Sequence, residues 1–330
     1  MVKIKILAPV SSAGEAEALV FHGAGELYCG VHPGAWTRRH GQKVWLNRRG
    51  TGNVGSFAEL REITGIAHSR GATVCLTLNL PFYPPEQYGD MLTMAGQATV
   101  ECGVDALIVA DPGLIRAIKE SAPNTLIHAS SLAVVLNSQA VRFFRKLGAA
   151  RIIFPRYTGL ANLRQVIAAA GEAVEYEVFI LNDGCMFEEG YCHASHSFGG
   201  AFCSPFRDHR LVPTGGKAAN HESFESHLAD YRRWIWYVGY NCGGSRDRGG
   251  FPNGMCGICA LAELRDLGIC SLKIVGREAP LGKKIASVKL VRRVLDLVES
   301  GAGPGEVKTA ARSIRGVPRL CDSGYMCYFR

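Results

Sequence analysis

The run Val174 to Arg210, VEYEVFILNDGCMFEEGYCHASHSFGGAFCSPFRDHR, decides how the chain is read. Its opening, Val174 to Leu181, is short, apolar and rich in β-formers, which predicts a buried strand. From Asp183 onward both the helical and the strand period stop. Cys185, Cys192 and Cys203 then fall in a Gly-, Ser- and His-containing segment that can fold back on itself and bring several sulfurs to one point. A strand feeding directly into a thiol-bearing loop puts a metal-binding segment at that strand's C-terminal end. A fourth sulfur can come from Cys242, or from Cys256 or Cys259 in NGMCGIC, just ahead of a helical run.

Working outward, the same kind of apolar run recurs at Lys3 to Val10, Glu26 to Val31, Thr73 to Asn79, Asp105 to Val109, Thr125 to Ala129, Arg151 to Phe154 and Cys270 to Val275. Helical spacing separates these runs at Ala13 to Gly23, Phe57 to Ser69, Pro84 to about Cys102, Pro112 to Ser121, Ser138 to Leu147, Leu160 to Ala170, Cys259 to Leu267 and Leu281 to Ser300, with Asp111 as an N-cap before Pro112. Strands alternating with helices predict an α/β protein with a parallel sheet covered by helices. Eight such units favour closure into a (β/α)8 TIM-like barrel over the alternative, an open doubly wound sheet. The expected organisation is a barrel over 1–300, a cysteine-rich insertion after strand seven at about 182–259, and a C-terminal extension over 301–330. The insertion is expected to carry one further helix or strand at Phe224 to Trp236. The polar segment His32 to Gly55 is long for a connection without structure and reads as a functional loop.

In a barrel, chemistry gathers where strands end. The polar residues there are Arg38, Arg39, Arg48 and Arg49 after strand two, Asn79 after three, Asp111 after four, Ser130 and Ser131 after five, Arg156 after six, and Arg277 after eight. Several guanidinium forks beside a cysteine loop make a cavity suited to a small carboxylate or phosphate. Asn79, Arg156, Arg277, Arg38 and Arg48, with Glu177 as a carboxylate able to move protons, are the candidate substrate-binding residues.

Composition sets the wider bounds. With 330 residues, 47% hydrophobic and 20% charged, the chain has ample core for a globular protein. Its 12 cysteines are too dilute for a disulfide-stapled secreted domain. MVKIKILAPVSSAGE lacks an apolar core of signal-peptide length, and no apolar run is long enough to span a membrane, so a reducing cytoplasmic setting is expected. Lysine and arginine outnumber aspartate and glutamate by eight, which suits a small anionic or aromatic substrate or RNA, although no polybasic arm is present. The run YRRWIWYVGY, Tyr231 to Tyr240, is either an interface for a partner chain or a core element.

Cys29, Cys75, Cys102 and Cys270 lie in strand or helix runs and read as buried core thiols. The loop thiols do not follow paired C-x-x-C spacing, so spacing leaves zinc and iron–sulfur both open. His193, His196 and His209 are available to complete a zinc site. There is no G-x-S-x-G elbow and no H-E-x-x-H helix, which removes the usual serine-hydrolase and zinc-peptidase devices.

Glu177-Val-Phe179, followed by Cys185, four residues, Gly190, one residue, Cys192 and then Ser195, resembles the signature of the peptidase U32 family. CSLKIVGR, Cys270 to Arg277, is similar to that family's S-x-K-I-E-G-R strand, and Cys256 lies where the family commonly has its last cysteine. The chain departs from the pattern at Asn182-Asp183-Gly184, at Val275 and at Tyr157. The resemblance implies a [4Fe-4S] cluster held by Cys185, Cys192, Cys203 and Cys256. It also implies the oxygen-independent hydroxylation of a quinone precursor or a nucleobase, with a prephenate-like carboxylate as oxygen donor. A partner of the same family, a peptidase activity and a non-catalytic cluster-binding role are the other expectations it raises.

Overall fold

The computed structural model describes residues 3–41, 44–171, 174–184, 189–190, 225–226, 228–229, 232, 254–324 and 326–329. Eight parallel strands close into a barrel in chain order: β1 Lys5–Pro9, β2 Glu26–Cys29, β3 Thr73–Leu78, β4 Ala106–Val109, β5 Leu126–Ala129, β6 Ala149–Ile153, β7 Glu175–Leu181 and β8 Ile269–Ile274. β1 pairs with β2 on one side and β8 on the other, which closes the ring and excludes the open sheet. All eight expected strands form. The reason is visible in β4, whose residues ALIV are buried on both faces, so its sequence is an unbroken apolar run.

The described helices are α1 Ala13–Phe21, α2 Gly34–His40, α3 Phe57–Ser69, α4 Tyr88–Gly96, α5 Pro112–Ser121, α6 Ser138–Lys146, α7 Leu160–Ala170, α8 Leu261–Asp266, α9 Leu281–Glu299, α10 Pro304–Arg315 and α11 Pro318–Ser323. Side-chain caps set several of their starts. Ser56 accepts from Glu59 N, Asn137 from Ala140 N, and Asp111 from Gly113 N at 2.8 Å, with Pro112 as the first helical residue. Such caps are worth ~1 kcal/mol each. Leu27, Leu76, Leu107, Leu60 and Val291 are fully buried between the barrel wall and its helices.

Two expectations are corrected. His32 to Gly55 is not without structure, because α2 forms within it. Trp36 anchors that helix, buried and donating from Nε1 to Val44 O at 2.9 Å. Arg38 sits on the exposed side of α2, and among the described residues no hydrogen bond or ion pair joins it to the other strand-end side chains. The C-terminal extension, which from Gly301 onward reads as a Gly/Pro hinge, a short helix and a tail, instead forms two helices, α10 and α11. Its last residues return to the barrel, with Cys256 N donating to Met326 O and Tyr328 N to Cys256 O.

The barrel interior is layered. Toward the strand starts, two carboxylates meet two cations. Arg151 contacts Glu26 at 2.8 and 2.9 Å and Glu177 at 3.1 Å, while Lys273 Nζ lies 2.9 Å from Glu177. Burial alone would raise the Glu26 carboxyl, but the Arg151 guanidinium holds it down to about 2. One step toward the strand ends lies an apolar layer that includes Leu7, Tyr28, Ile108, Ile153 and Phe179, joined by Tyr328 from the tail.

Candidate anion and metal site at the barrel mouth

Arg277 follows β8 and turns into the mouth, where it is buried. Its Nη2 donates to Asn47 Oδ1 at 2.8 Å, and its Nη1 to Asn53 Oδ1 at 2.9 Å and Thr77 Oγ1 at 3.4 Å. These partners are neutral, and among the described residues no salt bridge neutralises it. Burial accordingly pushes its guanidinium down to about 10. The guanidinium passes directly over Gly30, where an added Cβ would lie 2.2 Å from Arg277 Nη1 and 2.2 Å from Asn53 Oδ1. Gly30 is therefore needed for room. A buried guanidinium held in place by amides, with no carboxylate of its own, is chemically able to receive an anion.

The neighbouring Arg48 and Arg156 share one carboxylate. Glu189, fully buried, contacts Arg48 Nη1 at 2.6 Å, pairs with Arg156, and accepts from Ser131 Oγ at 2.8 Å and Arg156 N at 3.1 Å. Burial would raise its carboxyl, but Arg156 and Arg48, with the hydrogen bonds from Arg156 N and Ser131, hold it at about 2. Arg156 also lies 3.9 Å over the Phe179 ring and donates to Asp183 O at 3.0 Å. Gly190 explains the glycine of the sequence signature. Its φ is +95°, and a Cβ there would sit 2.1 Å from Val134 Cγ2. The Glu189–Gly190 step thus fastens the base of the cysteine loop to the turn after β5.

Of the candidate residues, Asn79, Arg48, Arg156 and Arg277 meet at the mouth. Asn79 Oδ1 accepts from Arg48 N at 3.2 Å, and Asn79 Nδ2 reaches Ser130 Oγ at 3.4 Å. Glu177 does not join them. It lies lower in the interior, its carboxylate shared by Arg151 and Lys273. Asn47, Asn53 and Glu189 escaped notice in the sequence, because single amides and acids in polar loops carry no period.

Cys185, Cys192, Cys203 and Cys242, the three loop histidines and the run Tyr231 to Tyr240, apart from Arg232, lie outside the described residues. Of the expected ligand set, Cys256 is described. Its backbone bridges to Leu181, the last residue of β7, so the chain leaves β7 for the thiol loop beside it. Cys256 also lines a cavity of about 270 Å³ with Cys259, Cys321 and Cys327. Burial first, then the neighbouring Cys256, Cys321 and Cys327 thiols, push Cys259 up to about 12. Among the described residues no three His, Cys, Asp or Glu side chains close on a point as the donors of one metal ion do. No described helix is long and apolar enough to cross a membrane.

The chain is 26% identical over 305 residues to "tRNA hydroxylation protein P1" of Bacillus subtilis (strain 168), covering 89% of this chain and 63% of that protein. It is 27% identical over 295 residues to "tRNA hydroxylation protein P2" of the same organism, covering 86% and 89%. The chain therefore spans less than two thirds of the first relative and most of the second. Among solved structures, the U32 peptidase Mk0906 aligns with TM-score 0.44 and 15% identity over 55% of this chain and 70% of that one. That likeness is too loose to carry an argument, and the barrel rests on its own hydrogen-bonded strands. The profile of peptidase family U32 matches residues 11–329, nearly the whole chain, and the chain belongs to that family.

Proposed function

We propose that the chain is an iron–sulfur protein of oxygen-independent hydroxylation, acting on a nucleobase of tRNA and drawing oxygen from a small organic carboxylate. Arg277 carries this reading: it is a buried guanidinium held by the neutral groups of Asn47, Asn53 and Thr77, which suits it to pair with an anion from outside the chain. The names of the relatives supply the substrate class, and the surplus of lysine and arginine suits an RNA. A quinone precursor is the substrate this reading sets aside.

Cys185, Cys192 and Cys203 supply three ligands of a [4Fe-4S] cluster, and the fourth comes from Cys242 or Cys256. The cluster, when bound, supplies redox or Lewis-acid chemistry. The protein's own groups position the reactants. Arg277 grips the donor carboxylate with its fork, the two asparagines keep that fork from swinging, and the apolar layer of Tyr28, Ile153 and Phe179 beneath keeps water out. Glu189 locks Arg48 and Arg156, so these two shape the rim while Arg277 remains open to the donor. A partner of the same family completes the tRNA-binding surface.

A cysteine-peptidase reading fails at the one thiol–imidazole pair among the described residues. Cys75 Sγ lies 3.9 Å from His128 Nδ1 inside the barrel, and burial drives the thiol well up and the imidazole well down. The pair stays neutral and supplies no thiolate. The test of the proposal is mass spectrometry of tRNA hydroxylation by protein prepared without oxygen, with prephenate supplied. Hydroxylated tRNA that disappears in an Arg277→Gln variant supports it, and unmodified tRNA under all donor conditions overturns it.

A further inference from the structure

The cavity under α10 and α11 is a second thiol-lined site, separate in its argument from the loop cluster proposed above. We propose that Cys256, Cys259, Cys321 and Cys327 hold a [4Fe-4S] cluster of their own, which leaves Cys242 as the fourth ligand of the loop. All four thiols line the same cavity of about 270 Å³. Three separate pieces of chain bring them there. Cys256 and Cys327 face one another as parallel bridge partners, Cys259 lies one helical turn on from Cys256, and Cys321 comes from α11.

The chemistry of the lining points the same way. Arg315, 2% exposed, lines the cavity and donates from Nη2 to Gly254 O at 3.2 Å, but its buried Nη1 has no hydrogen-bond partner among the described residues. An unpartnered buried guanidinium N–H asks for an acceptor. Four thiolates outweigh the positive charge of an iron–sulfur core, so the assembly is an anion whose sulfurs can accept that hydrogen bond. Lys308, Arg315 and Arg312, the last paired with Asp322, stand beside it against the single lining carboxylate of Glu263. A single ion such as zinc crowds its donors on one centre. A cubane spreads its four terminal sulfurs around a larger body.

Counting the cysteines supports the division. Of 12, Cys29, Cys75, Cys102 and Cys270 are buried in the barrel wall and its helices, and two of these spend their S–H on carbonyls, Cys102 on Phe57 O and Cys270 on Tyr176 O. The remaining eight divide into four between 183 and 253 and four around this cavity.

The experiment counts iron and acid-labile sulfide in the full chain purified without oxygen, beside Cys321→Ser, Cys327→Ser and Cys185→Ala variants whose folding is checked by circular dichroism. Two four-iron clusters give about eight irons per chain. Each tail variant should halve that count, Cys185→Ala should halve it too, and Cys185→Ala combined with Cys321→Ser should remove it. If a tail variant misfolds, the Cys185→Ala chain decides: about four irons left in it supports this site and none overturns it. Loss of all iron with Cys185→Ala and none with the tail variants keeps the loop cluster and sinks this one, whereas loss of all iron with the tail variants and none with Cys185→Ala does the reverse. Stoichiometric zinc released by Cys321→Ser overturns the cluster assignment.

Discussion

Replacing Glu189 by Gln keeps the shape of the side chain and removes the charge that Arg48 and Arg156 share. The carboxyl is fully buried and held at about 2, against 4.5 for an ordinary glutamate. At about 1.4 kcal/mol per pH unit, that depression stabilises the folded chain by about 3 kcal/mol at neutral pH. Breaking a buried ion pair from one side costs a similar ~3–5 kcal/mol. With about 2.1 cal/mol/K of unfolding entropy per residue, the 330-residue chain should lose about 4 °C of Tm. The sign of the pH dependence follows from the lowered pKa. The stabilisation is full above about 4.5 and is lost as pH falls toward 2, so the wild type should show an acid transition in that window that Glu189→Gln lacks. Removing Arg48 as well, as Met, should cost less than the two single losses added together, because one buried cation no longer lacks its partner. Thermal melts at neutral pH and an acid titration followed by near-ultraviolet circular dichroism measure both effects. A variant matching the wild type in melting temperature and acid transition would refute the claim that this carboxylate fastens the loop base to the barrel.

Three further outcomes are expected. Gly30→Ala places a Cβ on the Arg277 guanidinium and should raise the KM for the donor carboxylate about 10-fold or more, with a smaller change in kcat, as read by steady-state kinetics. Gly190→Ala combines a φ of +95° with the clash against Val134 and should destabilise by ~1–3 kcal/mol, seen in chemical denaturation. Arg151→Met leaves Glu26 without its guanidinium and Glu177 with Lys273 alone, and should cost ~3–5 kcal/mol in the same assay.

The barrel was legible because parallel strands buried on both faces are written as apolar runs, and ALIV in β4 or TVCLTL in β3 admit little else. The mouth was legible in part, since Asn79, Arg156 and Arg277 each end a strand run. Glu177 misled because its signature position says nothing of height: it sits four residues before the end of β7, a full layer below the mouth. Glu189, not Glu177, is the carboxylate that meets Arg48 and Arg156, but a lone acid in an aperiodic loop gives no sign of the two arginines that close on it. The helix α2 was hidden because GAWTRRH buries only Trp36 and shows no apolar period. Cys321 and Cys327 stand more than 60 residues beyond Cys256, and only the return of the tail to the end of β7 brings them to it.

The most direct measurement of the central claim is the electronic and Mössbauer spectrum of the full chain purified without oxygen, with iron and sulfide quantified. The account predicts a brown protein with iron and sulfide in equal amounts and the spectrum of thiolate-bound four-iron clusters. A colourless protein, free of iron at every stage of an oxygen-free preparation, would contradict it.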